Sequence, residues 1–460
     1  MTDFTKGRIV RPLILFAVPV LLGIVFQRLY NVFDTMLVGR FIDKTALAAV
    51  GASGIIFNLF ITICNGFSNG FGIVIGQKYG AGNQTELKKA IAGTYLFAII
   101  ISVTLTAFGI IFINPILRLI QVPEELFAQA RTYLLILTMG LVLTVIYNVF
   151  TNILRAFGDS VMPLVFLIVS VALNFGFDIL FIVVLKMGVA GTAIATVIAQ
   201  GISALLTILF SLTRRPVMRI KLSEFKIPAS IIRELLSQGA AMSLMFTVVD
   251  IGSVILQAGI NALGGKVGSE LIAGYTAGRK YLELGMIPGG AFAVSSANFV
   301  SQNYGAKQYG RIKKGIGALI LISWICATVS LFISIFAGQL LITSITGKDA
   351  EEFIISTGLK YLRIGVPFYY ALYVLVIIRS SLQGINQKHL PLVASGIELL
   401  VKILATAWLI PAFGYIMVCI AEPVIWVLGM LWVTPAFWIS LEKLNKNHNH
   451  PSNGWFALSL

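Results

Sequence analysis

Long apolar stretches separated by short polar breaks recur along the whole chain. An α-helix needs about 20 apolar residues to cross the hydrocarbon core of a bilayer, and these stretches reach that length. The breaks between them leave no room for a soluble domain of useful size. The pattern predicts an all-α integral membrane protein with twelve transmembrane helices, centred near residues 25, 60, 101, 143, 173, 200, 248, 285, 325, 369, 401 and 428.

The composition agrees with a multi-pass membrane protein. Hydrophobic residues make up 58% of the chain and charged residues 12%, with a mean hydropathy of +0.92, whereas about a quarter of the residues of soluble domains are charged. The net charge of +15 comes from basic residues beside the apolar stretches. Anionic lipid headgroups are therefore the expected partner, and nucleic acid is not. The three cysteines lie inside apolar segments, without disulfide or metal spacing.

The basic residues also predict the orientation in the membrane. Most Lys and Arg residues outside the helices fall at the N-terminus, in alternate loops and at the C-terminus. Because cytoplasmic loops carry an excess of Lys and Arg, this asymmetry predicts that both termini are cytoplasmic. We expect the chain in a bacterial inner (cytoplasmic) membrane.

Two sequence repeats relate the first half of the chain to the second. GQKYGAGNQTELKKAIAG at 76–93 matches SQNYGAKQYGRIKKGIGA at 301–318, and LRAFGDSVMP at 154–163 matches LQGINQKHLP at 382–391. The two matches have nearly the same offset along the chain and occur in the same order. Six predicted helices separate the copies, an even number, so the halves have the same orientation. This arrangement predicts a pseudo-two-fold axis along the membrane normal.

The longest polar break near the middle divides the chain. We predict an N-terminal six-helix lobe at 1–212, a cytoplasmic linker at 213–234, a C-terminal six-helix lobe at 235–440 and a cytoplasmic tail at 441–460. The prolines and basic residues of the linker favour a loose segment that contacts lipid. Two like lobes are a common transporter design, with the substrate path between them. A duplicated scaffold without a pathway is the alternative.

Polar residues inside the predicted helices point to a site in the first half. A charge at a helix centre costs roughly 2.5–3.5 kcal/mol on insertion scales, so Asp34 needs a reason to be there. An interfacial residue at the end of a helix is the alternative. Asn174 and Asp178 lie four residues apart and share one helix face. Thr192, Thr196 and Gln200 lie at a spacing of four in the next predicted helix and complete this group of polar residues. The alternative for the two threonines is a helix-packing face made of small residues.

Such a group supports either of two chemistries. Buried carboxylates that lie close together cannot both ionise cheaply, so the pair would hold a proton. Alternatively, the oxygens of Asp34, Asn174, Asp178 and Thr196 would coordinate Na⁺. The residues alone leave the coupling ion open between H⁺ and Na⁺.

The second half has polar residues of its own, which are secondary candidates. Asp250 lies in the seventh predicted helix and Glu422 in the twelfth. Glu398 and Lys402 lie four residues apart in the eleventh, a spacing that favours an internal ion pair. This pair either stabilises the bundle or belongs to a second site.

Several motifs resemble those of the multidrug and toxic compound extrusion family. The P-x7-Q-x-x-Y-N-x-x-D-T-x-x-V-G run at 19–39 resembles the first helix of that family. Further resemblance lies in LAAVGASG at 47–54, GQKYGAGN at 76–83, LRAFGDSVMP at 154–163 and the N-x3-D pair at 174–178. The resemblance covers nearly the whole chain.

This resemblance implies a monomeric twelve-helix antiporter that exports small cationic, amphiphilic compounds in exchange for H⁺ or Na⁺. It implies no cofactor and no enzymatic activity. For one branch of the family it implies an ion and substrate site in the N-terminal lobe, formed here by Gln27, Tyr30, Asp34, Asn174, Asp178 and Thr196. Another branch relies on acidic residues of the C-terminal lobe, where Asp250 stands in a position at which a Glu is expected.

Two alternative functions are compatible with the sequence. A lipid-linked oligosaccharide flippase of the same superfamily would need a ring of intramembrane arginines, and such arginines are few here. A channel or receptor without coupled turnover would need neither the repeat nor the buried carboxylates. The chain has no GxxxxGK[ST] motif, so an ion gradient rather than ATP is the expected energy source.

Overall fold

The computed structural model describes residues 3–42, 44–347 and 350–449, and within these ranges every regular element is a helix. The fifteen α-helices are α1 (Val10–Phe41), α2 (Lys44–Gly80), α3 (Gln84–Leu119), α4 (Glu124–Met139), α5 (Leu141–Ala156), α6 (Val161–Asp178), α7 (Gly188–Arg214), α8 (Ala229–Val267), α9 (Ser269–Gly305), α10 (Tyr309–Thr346), α11 (Glu352–Gly365), α12 (Tyr369–Gly384), α13 (His389–Leu404), α14 (Ile410–Phe413) and α15 (Tyr415–Asn449).

These helices account for the twelve predicted spans. The described part of the chain contains ten helical segments that are long and apolar enough to cross a membrane. The pair α4 and α5, bent by 44°, forms another span. The helix α9 is equally long but more polar, because it carries Arg279, Lys280 and Glu283. With α9 counted, six spans precede the linker and six follow it, and the prediction of a twelve-helix all-α membrane protein is confirmed.

The repeat is visible in backbone geometry as well as in sequence. Gly82 ends the turn after α2 with φ +70°, and Lys307, its counterpart in the second copy of the repeat, has φ +57°. Gly158 follows α5 with φ +79°, and its counterpart Asn386 has φ +64°. A positive φ is uncommon outside glycine, so its recurrence at both pairs of positions indicates that the two halves form the same turns.

The chain divides into two compact units. The first consists mainly of residues 14–79 and 83–251, and the second contains residues 4–13, 80–82 and 252 onward. The core of the first unit is built mainly from α2, α3 and α5 and includes Phe71, Leu134 and Phe157. Within this unit α2 lies directly against α8, because Gly66 and Gly70 leave no side chain between the backbones.

In the second unit the N-terminal segment is held by main-chain hydrogen bonds. The Phe4 N–H donates to Gln302 Oε1 at 3.2 Å, and the Phe4 carbonyl accepts from Arg311 Nη2 at 2.9 Å. The Phe4 ring packs edge-on against Phe299, with centroids 5.6 Å apart. These contacts bury Phe4 and fix the start of α1.

The linker does not have the loose structure expected from its composition. Short 3₁₀-helices occupy Pro216–Met218 and Leu222–Phe225. Met218 is fully buried in the core of the first unit, and its carbonyl accepts a hydrogen bond from Tyr95 Oη at 3.3 Å. The expectation of a loose segment was wrong because it considered only the Pro, Lys and Arg residues, whereas apolar residues between the charges attach the segment to the core.

Ion pairs at the linker reinforce this attachment. Lys88 Nζ lies 3.0 Å from Glu224 Oε1, and Arg215 Nη2 lies 2.9 Å from Asp159 Oδ2. The Lys221 backbone N–H donates to the Glu224 carboxylate, and together with Lys88 it lowers the pKa of that carboxyl. Glu224 therefore stays ionised to a lower pH than an ordinary glutamate.

We expect Met218→Ala to detach the linker, since truncating a buried Met costs about 2–5 kcal/mol. Limited trypsin digestion should then cleave faster at the basic residues of the linker, such as Arg219 and Lys226. Leu222→Ala is the matched control, because Leu222 is 90% exposed whereas Met218 is 0% exposed. Equal cleavage rates for the two variants would contradict this account of the linker.

Candidate functional site

Three helices of the first unit bring four of the predicted site residues together. The spacing of four residues places Asn174 and Asp178 on one face of α6, at the point where α6 continues into a π-helix (Ile179–Val184). Tyr30 comes from α1 and Thr196 from α7. Asn174, Asp178 and Thr196 are buried and Tyr30 is partly buried, so this group lies away from the bulk surface.

Hydrogen bonds join these side chains into one group. The Tyr30 and Thr196 hydroxyl oxygens lie 3.1 Å apart. The Asn174 amide makes two hydrogen bonds when its nitrogen faces Asp178: Nδ2 donates to Asp178 Oδ2 at 2.9 Å, and the amide oxygen accepts the Thr196 N–H at 3.2 Å. In the opposite orientation Nδ2 lies 3.4 Å from Thr196 Oγ1. The first orientation satisfies more polar groups, and it aims the amide donor at the carboxylate.

The two carboxylates each keep one oxygen without a donor. Asp178 Oδ1 and Asp34 Oδ1 are buried and accept no hydrogen bond in the described part of the chain. The two carboxylates lie close enough for their charges to interact. A buried carboxylate oxygen without a donor is costly unless a proton or a cation satisfies it. The arrangement is therefore chemically suited to take up a positive species.

The chemistry of the group also limits how it could hold a metal ion. In the described ranges, no group of three or more His, Cys, Asp and Glu side chains converges on one point. A cation bound here would have to use the amide and hydroxyl oxygens of Asn174 and Thr196 in addition to the carboxylates. Oxygen-only ligand sets suit hard cations.

Tyr133 belongs to this neighbourhood although the sequence did not single it out. It lies on α4, is buried, and interacts electrostatically with Asp34, Tyr30 and Asp178. A buried tyrosine hydroxyl usually has a polar partner. The only sequence signal was a tyrosine inside the apolar run RTYLLILTM, which is too common to identify a site.

The other polar residues predicted to line the cavity have different surroundings. Gln27 is exposed on α1 and lies outside the hydrogen-bonded group. Gln200 accepts a short hydrogen bond from Thr144 of α5. Thr192 is fully buried, and its hydroxyl has no partner in the described residues. Of the three residues at spacing four on α7, only Thr196 therefore joins the hydrogen-bonded group.

Among the secondary candidates, Asp250 lies on α8 and accepts a hydrogen bond from Thr62 Oγ1 of α2 at 2.6 Å. Both residues are in the first compact unit. Glu422 lies in the second unit and accepts a hydrogen bond from Tyr361 Oη at 3.3 Å. These two carboxylates therefore have separate hydroxyl partners in separate units.

The ion pair predicted between Glu398 and Lys402 is confirmed. Lys402 Nζ lies 2.8 Å from Glu398 Oε1 and donates to Ser253 Oγ of α8 at 3.1 Å. Arg379 of α12 approaches the second oxygen of the same carboxylate at 3.5 Å. Sequence reasoning missed Arg379, because it lies on a different helix from Glu398 and no helical spacing relates the two.

Comparison with known proteins agrees with this architecture. The family model described as MatE matches residues 19–180 and 240–408, which together are more than half of the chain. The chain is 29% identical over 381 residues to the probable multidrug resistance protein YoeA of Bacillus subtilis (strain 168), covering 78% of the chain and 80% of that protein. It is 28% identical over 314 residues to the probable multidrug resistance protein YpnP of the same organism, covering 67% and 68%.

A solved structure has the same fold. It is described as the outward-facing conformation of a multidrug resistance MATE family transporter of the MOP superfamily, and it superposes with a TM-score of 0.88. The match covers 97% of this chain and 98% of that one at 22% sequence identity. The predicted twelve-helix, two-lobe layout is therefore the fold of this chain.

Proposed function

The chain belongs to the MatE family of membrane transporters, and from this premise we propose that it is an antiporter that exports small cationic or amphiphilic compounds in exchange for H⁺ or Na⁺. The names of its relatives, probable multidrug resistance proteins, support this substrate class. The proposal places the chain in a bacterial inner membrane as a monomer surrounded by lipid, with both termini in the cytoplasm.

The observation that carries the proposal is a pair of carboxylates that each have one buried oxygen without a donor. Asp34 and Asp178 each have a buried oxygen without a donor, and Asn174 already uses its amide on Asp178. An incoming H⁺ or Na⁺ neutralises this negative charge, and a cationic substrate is attracted to it. The two positive species therefore compete for the same carboxylates, and this competition is the basic requirement of exchange.

Competition alone does not make a pump, so the proposal includes alternating access. The site must face one side of the membrane when loaded with ion and the other side when loaded with substrate. The repeated halves are the natural moving parts, and we propose the lobes at 1–212 and 235–440 for this role. The linker at 213–234, attached to the core of the first unit, would then move with that unit.

A proteoliposome experiment tests the proposed exchange. Vesicles containing the full chain are loaded with rhodamine 123, a cationic amphiphilic dye, and diluted into buffer that is either more acidic or richer in Na⁺. We expect one of the two gradients to accelerate dye release at least several-fold over vesicles with equal ions on both sides. Protein-free vesicles under the same gradients are the control for leakage.

The same experiment separates the alternatives. A channel would release the dye down its own gradient at a rate that neither ion gradient changes. A flippase for lipid-linked oligosaccharides would leave rhodamine 123 inside the vesicles and instead move a lipid-linked sugar between leaflets. Either result would overturn the antiporter proposal, whereas dependence on one gradient would also identify the coupling ion.

A further inference from the structure

The repeat places a lysine in the second unit where the first unit has its amide, and a threonine where the first unit has its carboxylate. When the match of 154–163 with 382–391 is continued without a gap, Asn174 corresponds to Lys402 and Asp178 corresponds to Thr406. Both helices change to a π-helix next to these positions, at Ile179–Val184 and Ala405–Leu409. The two units thus share a backbone feature but carry opposite charge at it.

The side chain of Lys402 is fixed in this place by α8. It passes over Gly252, where a Cβ would lie 2.8 Å from its Cδ, and its ammonium group donates to Ser253 Oγ at 3.1 Å. Its side chain is 3% exposed. Such a rigid, buried ammonium group differs from a lysine that reaches out to lipid headgroups.

Arg379 has more hydrogen-bonding capacity than its surroundings use. Glu398 makes its closer contact, 2.8 Å, with Lys402, while Arg379 Nη1 lies 3.5 Å away at the limit of a hydrogen bond. A guanidinium group carries five N–H donors in a planar fork that matches carboxylate and phosphate. The Arg379 side chain is 14% exposed, and none of its nitrogens is among the fully enclosed polar atoms without a partner in the described residues, so its unused donors lie at accessible surface.

We propose that Arg379 and Lys402 bind the anionic group, a carboxylate or a phosphate, of an amphiphilic ligand. Glu398 lies 2.8 Å from Lys402 and 3.5 Å from Arg379, so an anionic group can bind Arg379 without displacing the closer pair of Glu398 with Lys402. Arg379 would bind the anion through its free fork, and Lys402 would add charge from the far side of Glu398. This inference rests on the proposed transport function and extends its substrate class to anionic and zwitterionic amphiphiles.

Two dyes that differ at a single group test the inference. Rhodamine 110 has a free carboxylate, and rhodamine 123 is its methyl ester. We expect the purified full chain in detergent to bind rhodamine 110 about tenfold more tightly by fluorescence anisotropy, the scale of a charge-assisted hydrogen bond. Arg379→Gln should remove this preference without changing rhodamine 123 affinity, and Arg379→Lys should retain part of it. Arg363→Gln, which alters an exposed arginine of α11, is the matched control.

A second variant, Glu398→Gln, is expected to increase the affinity for rhodamine 110, and misfolding cannot explain an increase. Glu398→Gln removes the carboxylate that competes with the ligand for Arg379 and Lys402. We expect it to bind rhodamine 110 more tightly than the unmodified chain, by several-fold, with rhodamine 123 affinity unchanged. Equal affinity of the unmodified chain for the two dyes, together with no gain in Glu398→Gln, would overturn the inference.

A competition experiment with a lipid distinguishes the two possible sources of the anionic group. If short-chain phosphatidylglycerol displaces rhodamine 110 from the unmodified chain but not from Arg379→Gln, the site accepts a lipid phosphate as well as a soluble carboxylate. If the lipid has no effect while the dye preference holds, the ligand is a soluble amphiphile. Binding needs no ion gradient, so failure of gradient-driven rhodamine 123 release would contradict the proposed function without affecting this measurement.

Discussion

Asp34→Asn and Asp178→Asn are each expected to reduce gradient-driven rhodamine 123 release to the rate of protein-free vesicles. The acceleration of dye release by the ion gradient, at least several-fold in the unmodified chain, should be lost in each variant. Asparagine keeps the size of the side chain but removes the charge that either H⁺ or Na⁺ must neutralise. Because each carboxylate has a buried oxygen without a donor, removing the charge should not destabilise the fold.

The controls for this prediction separate transport from folding. Glu125→Gln removes an exposed carboxylate at the start of α4 and should leave transport unchanged. Thermal unfolding midpoints should be the same, within a few degrees, for all three variants. The double variant Asp34→Asn/Asp178→Asn should transport no worse than either single variant, since groups in one exchange site act as a unit. Independent, additive losses would show that the two carboxylates do not share a site.

We expect Gly66→Val to abolish the folded protein. A Cβ at Gly66 would overlap the backbone of Ser243, and a Cβ at the neighbouring Gly70 would lie 2.6 Å from the Gly239 Cα. Backbone cannot move aside as a flexible side chain can, so α2 and α8 would have to separate along their contact. Overpacking typically costs about 1–3 kcal/mol, and a clash with backbone lies at or above the upper end.

Gly51→Val on the same helix is the matched control. No atom lies within 4 Å of a Cβ built at Gly51, so the two variants share the change in helix propensity and differ in the clash. Fluorescence-detected size-exclusion chromatography should show a monodisperse peak for Gly51→Val and aggregated or absent protein for Gly66→Val. Equal unfolding midpoints would mean that α2 and α8 do not need their close contact.

Local patterns in the sequence determined the features that depend on neighbours along the chain. Apolar length alone predicts the spanning helices, because crossing hydrocarbon requires a minimum number of residues. The spacing of four residues predicts that Asn174 and Asp178 share a face, and it predicts the ion pair of Glu398 with Lys402, because 3.6 residues make one helical turn. The alignment of the repeat likewise predicts that Gly82 and Lys307 occupy the same turn.

Only the tertiary structure decided which side chains from different helices meet. The rotation of each helix about its axis is set by packing against its neighbours, so sequence spacing does not tell that Tyr30 faces Thr196 while Gln27 is exposed. The same applies to Tyr133 beside the carboxylates and to Arg379 beside Glu398, which come from separate helices. The sequence of one helix determines which of its residues share a face. Packing against the neighbouring helices determines the direction in which that face points.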